Sequence, residues 1–509
     1  METKTAAIEM RNITKRFGPV LANDKVWLNI YRGEILALLG ENGSGKTTLM
    51  NMLSGIYFPD EGEIKIDGKE VVIRSPKDAF DNGIGMIHQH FKLVDVLTAA
   101  ENIVLGLPGK LDLKAASAKI REICDKYGFS VDPTQKIYDM SVSQKQTVEI
   151  VKVLYRGADI LILDEPTAVL TPQETDKLFA VLRNMRNDGK AIVIITHKMH
   201  EVEALSDRVA ILRHGQFIGD MLTKDTNAQE MTNMMVGHAV SLNIERPDPV
   251  DPKPRVEVKG LTVRSVDGII KLDDVSFTAN SGEILGIAGI SGCGQKELLE
   301  AIAGLQTVES GSISYIEDDG SREELIGKDP LSIAELGVSL SFVPEDRLGM
   351  VLVGNMNLAD NMMLRSFRRG KSIFTDRRSP RALAESVVQE LSVSTPSVDT
   401  PVRRLSGGNV QKVLVGREIA SAPTVLLTAY AVRGLDIHSS YTIYDLINRQ
   451  KKAGVAVIFV GEDLDVLLEL CDRILVLCGG KVSGIVPGRG AEKREVGMMM
   501  TKLGGQSHE

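Results

Sequence analysis

The chain has 509 residues, of which 43% are hydrophobic and 25% charged, so we expect a soluble globular protein with two or more domains. Its 60 basic and 68 acidic side chains give a net charge of −8, which argues against broad binding to nucleic acid or to an anionic membrane surface. The N-terminus lacks a signal-peptide core, and no apolar run approaches the roughly 20 residues that span a bilayer, so we expect neither a channel nor a carrier. The four cysteines form no C-x-x-C pair, which is typical of a reduced, cytoplasmic protein.

The alternating stretch IEMRNITKRF predicts a strand, and Phe17 stands at its end. An aromatic ring at this place is suited to stacking on an adenine base, and it is equally suited to packing in a hydrophobic core. The sequence leaves both interpretations of Phe17 open.

A glycine-rich turn, GENGSGKT, follows the buried strand EILALLG and precedes an apolar-periodic helix. The turn and the residue after it are Gly40, Glu41, Asn42, Gly43, Ser44, Gly45, Lys46, Thr47 and Thr48. Glycines let backbone N–H groups wrap a phosphate, and the helix N-terminus adds positive potential. In this context we expect Lys46 to reach the β- and γ-phosphates of a nucleotide and the Thr47 hydroxyl to bind Mg²⁺.

Four further residues of the first half suit the same chemistry. Asp164 and Glu165 end the buried strand of ILILDEPT; Asp164 is predicted to hold Mg²⁺, and Glu165 is predicted to be the general base for an attacking water. His197 follows the strand AIVIIT and is expected to stabilise charge at the γ-phosphate. Gln89, in GMIHQHF, is expected to contact the same phosphate and Mg²⁺. With Lys46, these residues are the predicted catalytic and metal-binding set.

A segment with four prolines, ERPDPVDPKPR, divides the chain near its middle. Each proline biases the residue before it toward an extended conformation, so a short, stiff linker is predicted at 246–255. We expect one domain on each side of it, at 5–245 and 256–505.

The two predicted domains repeat one pattern. Ser141 lies 23 residues before Asp164, and Ser406 lies 23 residues before Ala429. Short apolar strands alternating with helices predict two α/β halves, each with a mainly parallel sheet. A helix-rich stretch, expected to form a subdomain, occurs in each half at about 95–155 and about 355–420.

The phosphate loop, Gln89, LDEPT, His197 and the phrase LSGGNVQK at 405–412 together resemble the ATP-binding subunits of ABC transporters, over nearly the whole chain. FVPEDR at 342–347 and RGLD at 433–436 are similar to the importer group for simple sugars and nucleosides, and HQHF resembles its nucleoside branch. This resemblance implies two tandem ATP-binding domains, each with a RecA-like parallel-sheet core, an antiparallel β subdomain and a helical subdomain.

The resemblance also implies that the two halves pair within the molecule, so that each ATP lies between the phosphate loop of one half and the LSGGQ signature of the other. The first such site keeps every part, because the second half supplies Ser406, Gly407, Gly408 and Asp436. Every departure from the family pattern falls on the second site, at Val142, Ser143, Thr171, Gln295, Lys296, Glu345, Ala429, Tyr430 and Glu462. We therefore expect one hydrolytic site, with ATP and Mg²⁺ as its ligands.

As partners the resemblance implies two integral membrane permease subunits and an extracytoplasmic solute-binding protein, with this chain peripheral at the cytoplasmic face of the membrane and no nucleic acid bound. Nucleosides are the predicted solute, and a simple sugar such as ribose or galactose is the alternative. A soluble ribosome-associated ABC ATPase is an alternative of another class, but it is expected to have a longer charged linker and two complete sites. A third interpretation makes the second half a scaffold or regulatory module, which is compatible with transport.

Overall fold

The computed structural model describes residues 6–501 with the exception of positions 19, 89–90, 109–110, 169, 197, 238–243, 266–267, 291, 343–351, 365, 368–374, 434, 436 and 462. The chain divides into two compact units, Met1–Ser241 and Leu242–Glu509. The functional domain boundaries drawn from the sequence at 5–245 and 256–505 stay a prediction.

The first unit contains two sheets in the part of the chain that is described. Its strands are β1 Ala6–Phe17, β2 Val20–Tyr31, β3 Glu34–Leu39, β4 Glu61–Ile66, β5 Lys69–Val71, β6 Ile84–Ile87, β7 Ile160–Asp164, β8 Ala191–Ile195, β9 Arg208–Arg213 and β10 Gln216–Leu222. One sheet has the order β2-β1-β4-β5 and is antiparallel. The other has the order β10-β9-β3-β8-β7-β6 and is parallel except at β10.

Helices connect these strands and add a subdomain between β6 and β7. They are α1 Lys46–Leu53, α2 Pro76–Asp81, α3 Ala99–Val104, α4 Leu113–Tyr127, α5 Val142–Tyr155, α6 Pro172–Asn187, α7 Met199–Leu205 and α8 Ala228–Val236. The Ser141 hydroxyl caps α5 by accepting a hydrogen bond from the Gln144 backbone N–H, and the Gln144 side-chain oxygen accepts one from the Ser141 N–H. The reciprocal cap explains why this helix begins where it does.

The second unit repeats the arrangement. Its strands are β11 Pro254–Arg264, β12 Ile270–Asn280, β13 Ile284–Ala288, β14 Ser310–Ile316, β15 Arg322–Glu324, β16 Val338–Phe342, β17 Val425–Ala429, β18 Ala456–Val460, β19 Arg473–Cys478 and β20 Lys481–Pro487. Its helices are α9 Gln295–Ile302, α10 Pro330–Glu335, α11 Leu358–Met363, α12 Arg378–Glu390, α13 Gly407–Ala420, α14 Ile437–Lys452, α15 Leu464–Leu470 and α16 Lys493–Met499. The sheet orders β12-β11-β14-β15 and β16-β17-β18-β13-β19-β20 match those of the first unit strand for strand.

Burial explains the two-sheet design of each unit. Strands β3, β7 and β8 are buried at every residue, as expected for parallel strands covered on both faces. In the first unit the antiparallel sheet, α1 and the parallel sheet share one hydrophobic core, while α3, α4 and α5 enclose a smaller core of their own. The second unit has the same division, with α11, α12 and α13 around the separate core. The predicted fold class, including both subdomains, is confirmed.

The proline-rich segment is tied to the second unit at its beginning. The Arg246 guanidinium donates to the carbonyl oxygens of Leu468 and Cys471, and Arg489 pairs with Asp248 at 2.8 Å. Neither helix nor strand is present from 244 to 253, and β11 begins at Pro254, within the range predicted as linker. Among the described residues no helix combines the length and the apolar character needed to cross a membrane.

Candidate functional site

The predicted catalytic residues of the first unit follow the carboxyl ends of neighbouring parallel strands. The phosphate loop follows β3, Asp164 ends β7, and β8 lies between these two strands in the sheet. Loops at the carboxyl edge of a parallel sheet meet in one crevice, which is where such folds bind ligands. The tertiary structure therefore brings together residues that are far apart in the sequence.

The phosphate loop is a turn that depends on glycine. Gly43 has φ 82° and Gly45 has φ 95°, and both angles lie in the left-handed region. A Cβ atom at Gly40 would lie 2.3 Å from the Leu212 carbonyl oxygen and 2.4 Å from the Ser44 Oγ. The buried Ser44 hydroxyl has no hydrogen-bond partner among the described residues. An unsatisfied buried hydroxyl inside a glycine turn fits a site that takes a phosphate.

Lys46 lies at the start of α1 and is buried. Its ammonium donates to the carbonyl oxygens of Gly40 at 2.6 Å and Glu41 at 2.9 Å. Burial lowers the pKa of Lys46, and the carboxylates of Glu165 and Asp164 oppose that effect. An ammonium group has three donors, so these two bonds hold Lys46 against the loop and leave one donor for a phosphate oxygen.

Thr47 and Asp164 meet across the base of the loop. The Thr47 Oγ1 donates to the Asp164 Oδ2 at 3.3 Å, and the two residues are separated by 117 positions in the sequence. Burial and the neighbouring Glu165 raise the pKa of Asp164 to about 6, while the Thr47 bond and Lys46 favour its ionised form. A hydroxyl and a carboxylate are hard oxygen donors, so this pair fits Mg²⁺.

Glu165 occupies an unusual backbone conformation at the turn after β7. Its φ is 47°, which is rare for a residue other than glycine, and its N–H donates to the Ile195 carbonyl at the end of β8, 2.8 Å away. This bond joins the turn to the neighbouring strand. The structure thus fixes the backbone of the predicted general base at the carboxyl edge of the sheet.

Three predicted site residues, Gln89, His197 and Asp436, lie outside the described residues, as do Glu345 and Glu462 of the second half. The strands that precede Gln89 and His197 end at the same sheet edge as β7, with β6 ending at Ile87 and β8 at Ile195. The roles of all five positions stay predictions.

Phe17 ends β1 and is 41% exposed, so it is not a core residue. Its ring meets the edge of the Tyr57 ring at a centroid distance of 5.1 Å, and the Lys15 ammonium lies 5.5 Å from its centroid. These contacts hold the ring while leaving part of it open to solvent. Stacking of Phe17 on adenine stays a prediction.

The signature helices α5 and α13 are joined in the same way to the turn that follows β7 in the first unit and β17 in the second. In the first unit the buried Gln146 amide donates to the Pro166 carbonyl, directly after Glu165. In the second, the Gln411 amide donates to the Ala431 carbonyl and, at 3.2 Å, to that of Tyr430. Sequence reasoning missed this contact, although Gln146 and Gln411 occur at matched places in the two halves.

Ser406, Gly407 and Gly408 lie at the start of α13. Ser406 caps this helix by accepting bonds from the Asn409 amide at 3.4 Å and its side chain at 2.9 Å. The N–H groups of a first helical turn have no partner within the helix and are therefore available to an anion. The predicted contact of these residues with ATP stays a prediction.

The second unit keeps the loop but not the functional groups. Gly292 and Gly294 have φ 85° and φ 96°, close to the values of Gly43 and Gly45. Gln295 replaces the lysine and is buried, while Lys296 is 48% exposed in its side chain, with its ammonium 3.6 Å from the Glu300 carboxylate. The Asp164 position is taken by the buried Ala429, and the Glu165 position by Tyr430, which packs against the core of the unit.

Comparison with known proteins identifies both halves. The family described as ABC transporter matches residues 23–168 and 272–428. The chain is 42% identical to the nucleoside import ATP-binding protein NupA of Lactococcus lactis subsp. cremoris, over 99% of each chain. It is 39% identical to the glucose import ATP-binding protein TsgD13 of Haloferax volcanii, over 98% of this chain and 96% of that one. It is 40% identical to the guanosine import ATP-binding protein NupO of Bacillus subtilis, over 97% of each.

Replacing Gly45 with alanine tests the loop geometry, with Gly43→Ala as the matched control. Both residues have a positive φ, but a Cβ at Gly45 would lie 2.3 Å from the Ala22 carbonyl oxygen, whereas one at Gly43 meets nothing within 4 Å. We expect Gly43→Ala to cost about 1 kcal/mol of unfolding free energy and Gly45→Ala clearly more. Denaturant unfolding measures both, and equal losses would contradict the described loop.

Proposed function

The chain belongs to the ABC transporter family, and we propose that it is the ATP-hydrolysing subunit of an importer, with its one hydrolytic site built on the phosphate loop of the first unit. The observation that carries this proposal is the meeting of Lys46, Thr47 and Asp164 at one sheet edge, with Glu165 fixed beside them. The second unit has matching glycine angles in its loop but carries Gln295, Lys296, Ala429 and Tyr430 in place of Lys46, Thr47, Asp164 and Glu165.

In this site each side chain has one task. Lys46 neutralises charge on the β- and γ-phosphates, and the Ser44 hydroxyl, which has no partner among the described residues, donates to a phosphate oxygen. Thr47 and Asp164 hold Mg²⁺, which supplies further neutralisation of the phosphate oxygens. Glu165 orients the attacking water and accepts its proton. Gln89 and His197 contact the γ-phosphate, as the family pattern implies.

The second phosphate loop does not hydrolyse ATP in this proposal. Ala429 and Tyr430 offer neither a ligand for Mg²⁺ nor a base, and the Lys296 ammonium lies beside Glu300. The family pattern gives the second half another task, in which Ser406, Gly407, Gly408 and Asp436 complete the first site. The second unit is then a required partner in one asymmetric ATPase.

Membrane permease subunits are the proposed partners of the helical subdomains. Large apolar side chains in the first unit are exposed around α3 and at the start of α4, namely Val94, Val96, Leu105, Leu107, Leu111 and Leu113. Such a group of exposed apolar side chains favours a protein interface. The neighbouring Leu93 packs instead against the core of α3, α4 and α5. We place the chain at the cytoplasmic face of the membrane, working with an extracytoplasmic solute-binding protein.

Nucleosides are the proposed solute, and a simple sugar is the second candidate. Two relatives are named for nucleoside or guanosine import, at 42% and 40% identity, and HQHF resembles the same branch. A relative named for glucose import follows closely at 39%, so overall identity separates the two solutes weakly. Solute choice resides in the binding protein and permeases, which contact the solute.

Lys46→Ala and Gln295→Ala compare the two phosphate loops. We expect Lys46→Ala to lower ATP hydrolysis by about a hundredfold or more, because one electrostatic donor to the transferring phosphate is lost. We expect Gln295→Ala to retain most of the activity, because its site has no base. Steady-state phosphate release measures both. Comparable losses in the two variants would contradict a single hydrolytic site.

Glu165→Gln tests the proposed base. The amide keeps the shape of the side chain but cannot accept the proton of the attacking water, so ATP should bind and stay unhydrolysed. Retention of radiolabelled ATP after gel filtration measures the trapped nucleotide, with wild type and Lys46→Ala as controls. Steady hydrolysis by Glu165→Gln would remove Glu165 from this role.

Co-purification from native membranes tests the importer assignment and its solute. The tagged chain should bring down two permease subunits, and the solute-binding protein of that assembly should bind guanosine or adenosine more tightly than ribose, galactose or glucose. Isothermal titration measures these affinities. Preference for a sugar would favour the second candidate, and recovery of ribosomes in place of permeases would contradict import.

A further inference from the structure

A buried carboxylate connects the two loops on either side of the predicted hydrolytic centre. Glu201 of α7 is 3% exposed, and its Oε2 accepts hydrogen bonds from the Thr167 hydroxyl at 2.6 Å and the Thr196 hydroxyl at 3.2 Å. Its Oε1 lies 3.2 Å from the Lys198 ammonium. Lys198 also donates to the Thr167 carbonyl at 3.3 Å, so the four residues form one connected network.

The network joins the loops that carry the two predicted catalytic side chains. Thr167 stands two positions after Glu165, in the turn that leaves β7. Thr196 and Lys198 stand immediately before and after His197, in the turn that leaves β8. The Lys198 amide also donates to the Thr196 hydroxyl at 3.1 Å, which ties together the two residues that flank His197.

The cost of burying the Glu201 carboxylate indicates that the network has one defined arrangement. Taking a carboxylate out of water is costly unless its oxygens are fully hydrogen-bonded or paired with a cation. Both Glu201 oxygens have such partners, and the Thr167 and Thr196 side chains that reach them are themselves buried. A fully satisfied buried network holds its members in one arrangement.

The second unit provides an internal comparison, because it folds in the same way without this network. The matching residues are Val432 for Thr167, Gly461 for Thr196 and Val466 for Glu201. Asp463, in place of Lys198, instead accepts the Asp465 amide and caps α15. The side chains of Val432 and Val466 cannot form hydrogen bonds, and Gly461 has no side chain.

The backbone at the strand ends is nevertheless the same in the two units. The Tyr430 N–H donates to the Val460 carbonyl at 2.9 Å with φ 55°, as the Glu165 N–H donates to the Ile195 carbonyl at 2.8 Å with φ 47°. The fold of these turns therefore does not require a buried glutamate. The first unit, whose turn carries the predicted base Glu165, has the network. The second unit carries Tyr430 at that turn and Val466 at the position of Glu201.

We propose that Glu201 is a positioning residue, which clamps the Glu165 turn to the His197 turn through Thr167, Thr196 and Lys198 and so holds the base and the γ-phosphate contact at the separation that hydrolysis needs. This inference rests on the proposed ATPase function of the first unit. Glu201 acts on the rate of the chemical step rather than on ATP binding, because the phosphates are bound by the loop after β3, which the network does not touch.

The decisive variant gives the first unit the residues of the second at two of the four network positions, as Thr167→Val with Glu201→Val. The second unit folds with these residues, so the full-length variant should keep its thermal unfolding temperature within a few degrees. We expect its kcat for ATP to fall about ten- to hundredfold, which corresponds to a barrier increase of about 1.4–2.8 kcal/mol. Its KM for ATP should change by less than about threefold, because the phosphate-loop contacts that bind ATP before the chemical step are unchanged.

Two further variants separate positioning from a general structural role. Glu201→Gln keeps one carbonyl oxygen as acceptor for the Thr167 and Thr196 hydroxyls, but it loses the pair with Lys198, so its kcat should lie between wild type and the double variant. Glu203→Gln is the control, since Glu203 is on the same helix but accepts the Ala228 amide at 2.8 Å, outside the network. It should leave kcat, KM and the unfolding temperature unchanged.

Nucleotide binding gives a readout that does not depend on turnover. In the Glu165→Gln background, addition of Glu201→Gln should leave ATP retention unchanged. Unchanged kcat in the double variant would overturn the positioning role while leaving the proposed ATPase intact. Loss of ATP retention, or a fall in kcat matched by a rise in KM in both Glu201 variants, would make the network structural and also overturn it. A wild-type chain without any ATPase activity would contradict the proposed function itself, and the positioning role with it.

Discussion

One backbone hydrogen bond, repeated in both units, organises the edge of the parallel sheet. The residue after β7 in the first unit and after β17 in the second donates its N–H to the last carbonyl of the neighbouring strand, from Glu165 to Ile195 at 2.8 Å and from Tyr430 to Val460 at 2.9 Å. To make this bond the chain turns sharply with a positive φ, a conformation that costs of order 1 kcal/mol for a residue with a Cβ. The backbone that carries this side chain is thereby fixed at the carboxyl edge of the sheet.

Because the same backbone geometry serves two different side chains, the units can differ in chemistry without differing in fold. The glycines at 43 and 45 correspond in φ to those at 292 and 294, and the strand orders are identical. What changes is the set of polar groups at the edge, where Lys46, Thr47 and Asp164 are exchanged for Gln295, Lys296 and Ala429. The second unit therefore keeps its fold although it lacks the lysine, threonine and aspartate that the first unit has at these positions.

The helical subdomain is attached to this edge by a bond that both units keep. Gln146 of α5 donates to the carbonyl of the second residue after β7, and Gln411 of α13 donates to that of the second residue after β17. Both side chains are buried, so an unpaired amide there would be costly. The second unit keeps this contact although it has no predicted base at the turn. The bond between the signature helix and the turn therefore serves the fold of each unit. The Glu201 network, which the second unit replaces with valines and a glycine, does not serve the fold in this way.

The sequence by itself determined the division into two α/β halves, the helical subdomains and the inventory of reactive groups, because strand and helix periodicity, glycine turns and the repeated 23-residue interval are local properties of the chain. Only the tertiary structure decided that Phe17 is exposed rather than part of the core, and that Glu201 reaches Thr167 and Thr196. The repeat of Gln146 at Gln411 is a sequence signal that this glutamine has a role in both halves. The sequence gives no such signal for Glu201, because its counterpart is Val466. Contacts between loops depend on the order of strands in the sheet. Local periodicity does not determine that order. Thr47 and Asp164 are 117 residues apart in the sequence, and only the assembled sheet brings them into contact.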